Sequence, residues 1–148
     1  MSTDWLLEDD LAPSLDDETL GELYRGAERG QLVLPFCPGC GLALELEQKV
    51  CDGCGTCGPA WRPVEPRGHV HSVTVVHRLE PGLVRTTDPY PVADIELVDG
   101  HRLVLAAVTP APAPAIGDAV SIGFRRLGGV AVPAFHHEVS AAELEESR

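Results

Sequence analysis

The sequence predicts a mainly β protein made of an N-terminal helix, a small cysteine-clipped ribbon and a five-stranded barrel. Three observations carry this. The clip "CPGCG" at 37–41 returns ten residues later as "CDGCG" at 51–55, one helical stripe precedes the pair, and five strand-like runs follow it within fewer than 80 residues.

The helix comes first. Leu20, Leu23, Tyr24 and Ala27 fall at i, i+3, i+4 and i+7, one face of an α-helix over 16–30. Asp16 is placed as an N-cap, Leu15 and Leu20 as a hydrophobic staple, and Gly30 as the stop. Ahead of it, residues 1–15 scatter Trp5, Leu6, Leu7 and Leu11 among acids and read as a flexible acidic tail, with docking of Trp5 on a partner or on its own domain as the alternative.

The ribbon, residues 31–61, opens with the strand-like run "QLVLPF", and "LALEL" at 42–46 alternates as a second strand should. Two residues between thiols let one turn present both sulfurs to a tetrahedral ion, and two such turns close a four-sulfur site. Cys37, Cys40, Cys51 and Cys54 are therefore the predicted metal ligands, with structural Zn²⁺ as the expected ion. Iron in a rubredoxin-like electron carrier, or disulfides, are the competing readings. Disulfides fit poorly with five cysteines and a start that is acidic where an export signal would be basic. Cys57 offers a second register, Cys54 with Cys57, but the repeated Cys-x-Gly-Cys-Gly unit favours the first.

The barrel, residues 62–137, is predicted from "HVHSVTVVHRL" at 69–79, "YPVADIELV" at 90–98, "HRLVLAAV" at 101–108, "AVSIGF" at 119–124 and "VAVPAF" at 130–135. Asp99-Gly100 reads as a two-residue hairpin and "LGG" at 127–129 as another. Five antiparallel strands in so short a span suggest an OB-fold, with an SH3-like barrel as the second choice. Residues 138–148 read as an acidic C-terminal tail.

Charge narrows the function. Residues 1–61 carry a net −9 and residues 62–137 are neutral, and aromatic stacking platforms are few, which argues against a nucleic-acid-binding module despite the ribbon and barrel. No apolar run approaches the ~20 residues that cross a bilayer, so a cytoplasmic protein without membrane contact is expected. His69, His71 and His77 share the odd positions of one strand and would face one side if no bulge intervenes. With His101, His136 and His137 they are the candidate acid–base groups of an enzyme, although no catalytic motif accompanies them. For anion handling the pool is Arg78, Arg85, Arg102, Arg125 and Arg126, with Arg85 set in a loop at 80–89 and the Arg125-Arg126 pair just ahead of a Gly-Gly turn.

The order of these motifs resembles a known family. A helix, C-x2-C-x10-C-x2-C-G, Trp61 seven residues past the last ligand, then "RGHVHSVTVVHR", "DPYPVADIEL", "IGDAVSIGF" and "VPAF" are similar to the zinc-ribbon/OB-fold accessory proteins of acyl-CoA metabolism, over roughly 19–136. The resemblance implies a non-catalytic subunit that binds a thiolase-superfamily enzyme: a thiolase, an acyltransferase or a retro-aldolase of steroid side-chain degradation. It also implies a share in the acyl-CoA site, for which Arg85, Arg125 and Arg126 are the candidate contacts. The extra Cys57, and Asp94 and Glu96 on the second barrel strand, depart from the family's pattern.

Overall fold

The computed structural model describes residues 3–77 and 80–138. Helix α1 spans Gly21–Glu28, later and shorter than its stripe predicts. The reason is local: the Asp17 carboxylate accepts from the Thr19 and Leu20 backbone N–H groups at 2.8 and 2.7 Å, which holds 17–20 in a turn before the helix can begin. Asp16 caps nothing, and Leu15 lies exposed instead of forming a staple. The C-terminus is as expected, because Gln31 N–H bonds the Gly26 carbonyl and Gly30 N–H that of Ala27 in a Schellman motif. Leu23 and Ala27 are buried, Leu23 within the barrel core.

The ribbon's strands are β1 (Val33–Phe36) and β2 (Ala60–Pro63), antiparallel with Pro35 opposite Trp61. β2 thus falls across the predicted ribbon–barrel boundary at 61–62. "LALEL" does not form a strand: only Ala43 bridges Phe36, and Leu44 N–H bonds the Pro35 carbonyl. The metal turns on either side leave that segment too little length to pair further.

The barrel strands are β3 (Arg67–Val76), β4 (Tyr90–Leu97), β5 (Arg102–Ala106), β6 (Ala119–Leu127) and β7 (Val130–His137), in the order β5-β4-β3-β6-β7. A parallel bridge, Ala107 to Phe135, brings the two edges together and curls the sheet into an OB-type barrel. Inside lie Val70, Ile95, Leu103, Val120 and Phe135, and they share one core with Leu32 and Leu34 of the ribbon's root and Leu23 of α1. Helix, ribbon root and barrel are therefore one folding unit in energetic terms, whatever their sequence boundaries.

Two turns show how sequence set register. Gly128 and Gly129, at φ 56° and 84°, make the two-residue β6–β7 hairpin that "LGG" predicts. At β4–β5 the loop is three residues, Val98 to Gly100, because Leu97 pairs with His101 and Gly100 supplies the extra left-handed residue.

The predicted tail is the largest correction. Asp4 and Leu6 are buried at 4% and 3% exposure, Leu7 bridges Val84, and Asp9–Leu11 form a 3₁₀ turn. Asp4, Glu8 and Asp9, acids that made this leader look solvated, have basic partners, as shown below. Residues 139–148 of the predicted C-terminal tail lie outside the described residues.

Candidate metal centre

The two cysteine turns are near copies. In each, the N–H of the glycine after the pair bonds the carbonyl of the first cysteine (Gly41 to Cys37, Gly55 to Cys51, both 2.9 Å), and that glycine sits at φ 79° or 76°, where a side chain would be strained. The turn aims backbone N–H groups at sulfur: Gly39 N–H reaches Cys37 Sγ and Gly53 N–H reaches Cys51 Sγ, each at 3.3 Å. Spacing and glycine placement in the sequence thus convert directly into two preformed thiolate claws.

The claws face each other. Cys37 Sγ lies 3.5 Å from Cys54 Sγ and Cys40 Sγ 3.6 Å from Cys51 Sγ, with all four sulfurs within 4.8 Å of one another. Sulfurs at ~2.3 Å from a tetrahedral ion are separated by about 3.8 Å, so the four fit a bound metal ion. Cys37 and Cys51 are buried, whereas Cys40 and Cys54 lie on the open side.

The electrostatics agree. Backbone N–H groups of Cys40 and then Gly39 hold the Cys37 thiol down to about 6, and Thr56 lowers Cys54 through its hydroxyl and backbone N–H. Cys40, despite a favourable bond from the Leu42 N–H, is pushed up to about 12, chiefly by its bond with Cys51. Cys40, crowded by the neighbouring sulfurs, resists losing its proton. A cation at the centre would remove that resistance, which is the chemistry of a metal ligand set.

Cys57 stands outside. It bridges Val50 through the backbone and is exposed, so the sulfur cluster follows the first register. Cys57→Ser is expected to leave metal stoichiometry unchanged and stability within about 0.5 kcal/mol, read by metal analysis and a thermal melt.

His101 ties this centre to the barrel. Its Nε2–H donates to the Pro35 carbonyl at 2.8 Å, and its ring stands edge-on to Phe36, whose face is covered by the Arg62 guanidinium 4.1 Å away. Phe36 immediately precedes Cys37, so the β4–β5 turn holds the first claw in place. Nothing in the sequence marked His101 for this role. Its Nδ1 is buried with no hydrogen-bond partner in the structure.

The other histidines do not assemble. A bulge at His71, between the Val70 and Ser72 pairings, shifts the alternation of β3, so His77 loses the common face with His69. His71 approaches Glu96 at 4.0 Å and His137 approaches Asp118 at 2.7 Å. Among the described residues the four cysteines are the one metal-type cluster.

The arginines are largely engaged. Arg125 is buried and bonds Asp4 of the leader at 2.9 Å. Arg85 pairs with Glu8 and Asp9 at 3.1 and 3.2 Å. Arg102 bonds Asp94 through Nε at 3.0 Å, which lowers the Asp94 carboxyl. Arg126 pairs with Glu28 at 3.4 Å and donates to the Gly129 carbonyl, with more than half its side chain exposed. Arg78 lies outside the described residues.

Residues 61–125 match the family model described as the ChsH2 C-terminal OB-fold domain. With the four-cysteine cluster ahead of that segment, the class is decided. The chain is a four-cysteine ribbon joined to an OB-fold barrel. The chain superposes on a solved chain titled "Ltp2-ChsH2(DUF35) aldolase" with a TM-score of 0.72 and 25% identity, covering 86% of this chain and 100% of the other. No curated protein matches the ribbon–OB sequence.

Proposed function

We propose that this protein is a non-catalytic accessory subunit of an aldolase complex, built on a thiolase-superfamily partner that cleaves a carbon–carbon bond of an acyl-CoA thioester. The single observation that carries the reading is the likeness, over 86% of this chain, to a chain of an Ltp2-ChsH2 aldolase.

The ion proposed for Cys37, Cys40, Cys51 and Cys54 is Zn²⁺, which holds a fold without taking part in redox chemistry. Its role here is structural: the ribbon's own buried cluster is only Cys37, Leu44 and Cys51. For the acyl-CoA, a cavity of about 430 Å³ supports a shared site. It is lined by Leu7, Tyr24, Tyr90, Val104 and Leu127, with Arg125 the one charged side chain. Arg125 is neutralised by Asp4, so the cavity suits the apolar part of a substrate. Of the three arginines expected to meet a phosphate, Arg126 keeps the most exposed side chain and is the proposed contact.

The test is reconstitution. The purified chain alone should leave an acyl-CoA untouched, the partner alone should be inactive or poorly soluble, and the two together should release the cleaved products. Turnover by this chain alone, abolished by replacing its histidines, would overturn the reading.

A further inference from the structure

OB barrels take ligands on the face of their second and third strands and on the two loops beside it. Here these are β4, β5, the 80–87 loop and the β6–β7 hairpin. The N-terminal leader lies across that place. The Trp5 ring meets Tyr90 edge-on at 6.4 Å, Leu7 bridges Val84 in the loop, and a Cβ added at Gly128 of the hairpin would come within 2.9 Å of the Asp9 carbonyl.

The contacts are those by which a short turned peptide is recognised: the Asp4 carboxylate accepts from the Leu6 and Leu7 N–H groups at 3.2 and 2.8 Å, and the loop holds the residues that follow. Main-chain bonds run from Arg85 N–H to the Leu6 carbonyl at 2.7 Å and from Glu8 N–H to the Leu83 carbonyl at 2.9 Å. Arg85 Nε–H adds a bond to the Leu7 carbonyl at 2.9 Å. Side chains fill separate places: Asp4 meets Arg125 with only 1% of its side chain exposed, Leu6 is buried, and the Trp5 indole N–H donates to the Ala107 carbonyl at 3.1 Å. Main-chain bonds of this kind give affinity and the separate side-chain pockets give selectivity. Residues 12–19, which tether the leader to α1, are mostly exposed.

We propose that this groove is a peptide-binding site, filled in the isolated chain by its own residues 4–8. The ligand it takes from a partner protein is a short turned segment with an acidic residue followed by an aromatic and an aliphatic one. Arg125 anchors the acid, Ala107 and Tyr90 select the aromatic ring, and Arg85 holds the backbone. The inference does not depend on the partner being an aldolase, and it is tested without any enzyme assay.

The test uses the full chain with its leader released by Asp4→Asn and Trp5→Ala together, and a fluorescent peptide of residues 3–11 (TDWLLEDDL). Metal content and a melting transition establish that the variant is folded. Saturable binding by anisotropy is expected for the released variant. The wild type should bind at least tenfold more weakly, because a tethered leader competes at an effective concentration on the order of millimolar. Adding Arg125→Gln to the released variant should weaken binding at least tenfold. Arg85→Gln, at a more exposed position, should weaken it several-fold and serves if Arg125→Gln does not fold. No saturable binding to the folded released variant, or binding indifferent to both arginines, overturns the proposal. A concentration-dependent wild-type dimer that exchanges leaders would assign the groove to a second copy and overturn the partner reading.

Discussion

Cys37→Ser is expected to abolish metal binding and unfold the two cysteine turns while the ribbon's root and the barrel stay folded. Cys37 is the most deeply buried ligand, at 1% exposure, and it receives the Gly39 N–H bond that shapes the first claw. A structural metal of this type contributes on the order of 10 kcal/mol of folding free energy. The ribbon has little else, since its buried cluster beyond two ligands is Leu44 alone. The barrel, in contrast, keeps Val70, Ile95, Val120 and Phe135. Metal analysis should fall from about one ion per chain to none, and hydrogen exchange should rise across 37–58 with the barrel strands still protected. A fully loaded variant, or unchanged exchange in the ribbon, would contradict the account.

Gly68→Ala should damage the barrel itself. Gly68 lies on β3 between Leu97 of β4 and Val120 of β6, and a Cβ there would stand 2.2 Å from the Glu96 carbonyl oxygen and 3.0 Å from the Leu97 Cα. Those atoms are backbone, so no side chain can swing aside and the strand itself must move. Overpacking costs typically 1–3 kcal/mol when side chains can adjust, and about 3 kcal/mol or more is expected here. That corresponds to a Tm lower by roughly 10 °C, measured by calorimetry on metal-loaded protein. A melting point within about 2 °C of wild type would mean that the strands separate more readily than their packing suggests.

Much of this was legible because it is local. The cysteine repeat encodes its turn geometry within five residues, and the barrel strands show as alternating runs punctuated by Gly-Gly and Asp-Gly. Where partners are distant in sequence, the signal disappears. Asp4 and Arg125 are 121 residues apart, and nothing about "TDWLL" distinguishes an acid seeking a buried guanidinium from one in solvent. The same separation hid His101, whose partner Pro35 is 66 residues away. The bulge at His71 has no marker such as glycine, so the common histidine face followed from strict alternation and failed with it. β2 was missed because "AWRP" is short and carries a proline, which the register accepts at the strand's end, opposite Val33.

The central claim is that this chain serves as a partner subunit, and affinity purification of the tagged protein from its native host tests it most directly. Mass spectrometry and metal analysis of one eluate should find a thiolase-like protein in stoichiometric amount with about one zinc per chain. Nucleic acid in that eluate, or iron and no enzyme partner, would contradict the account.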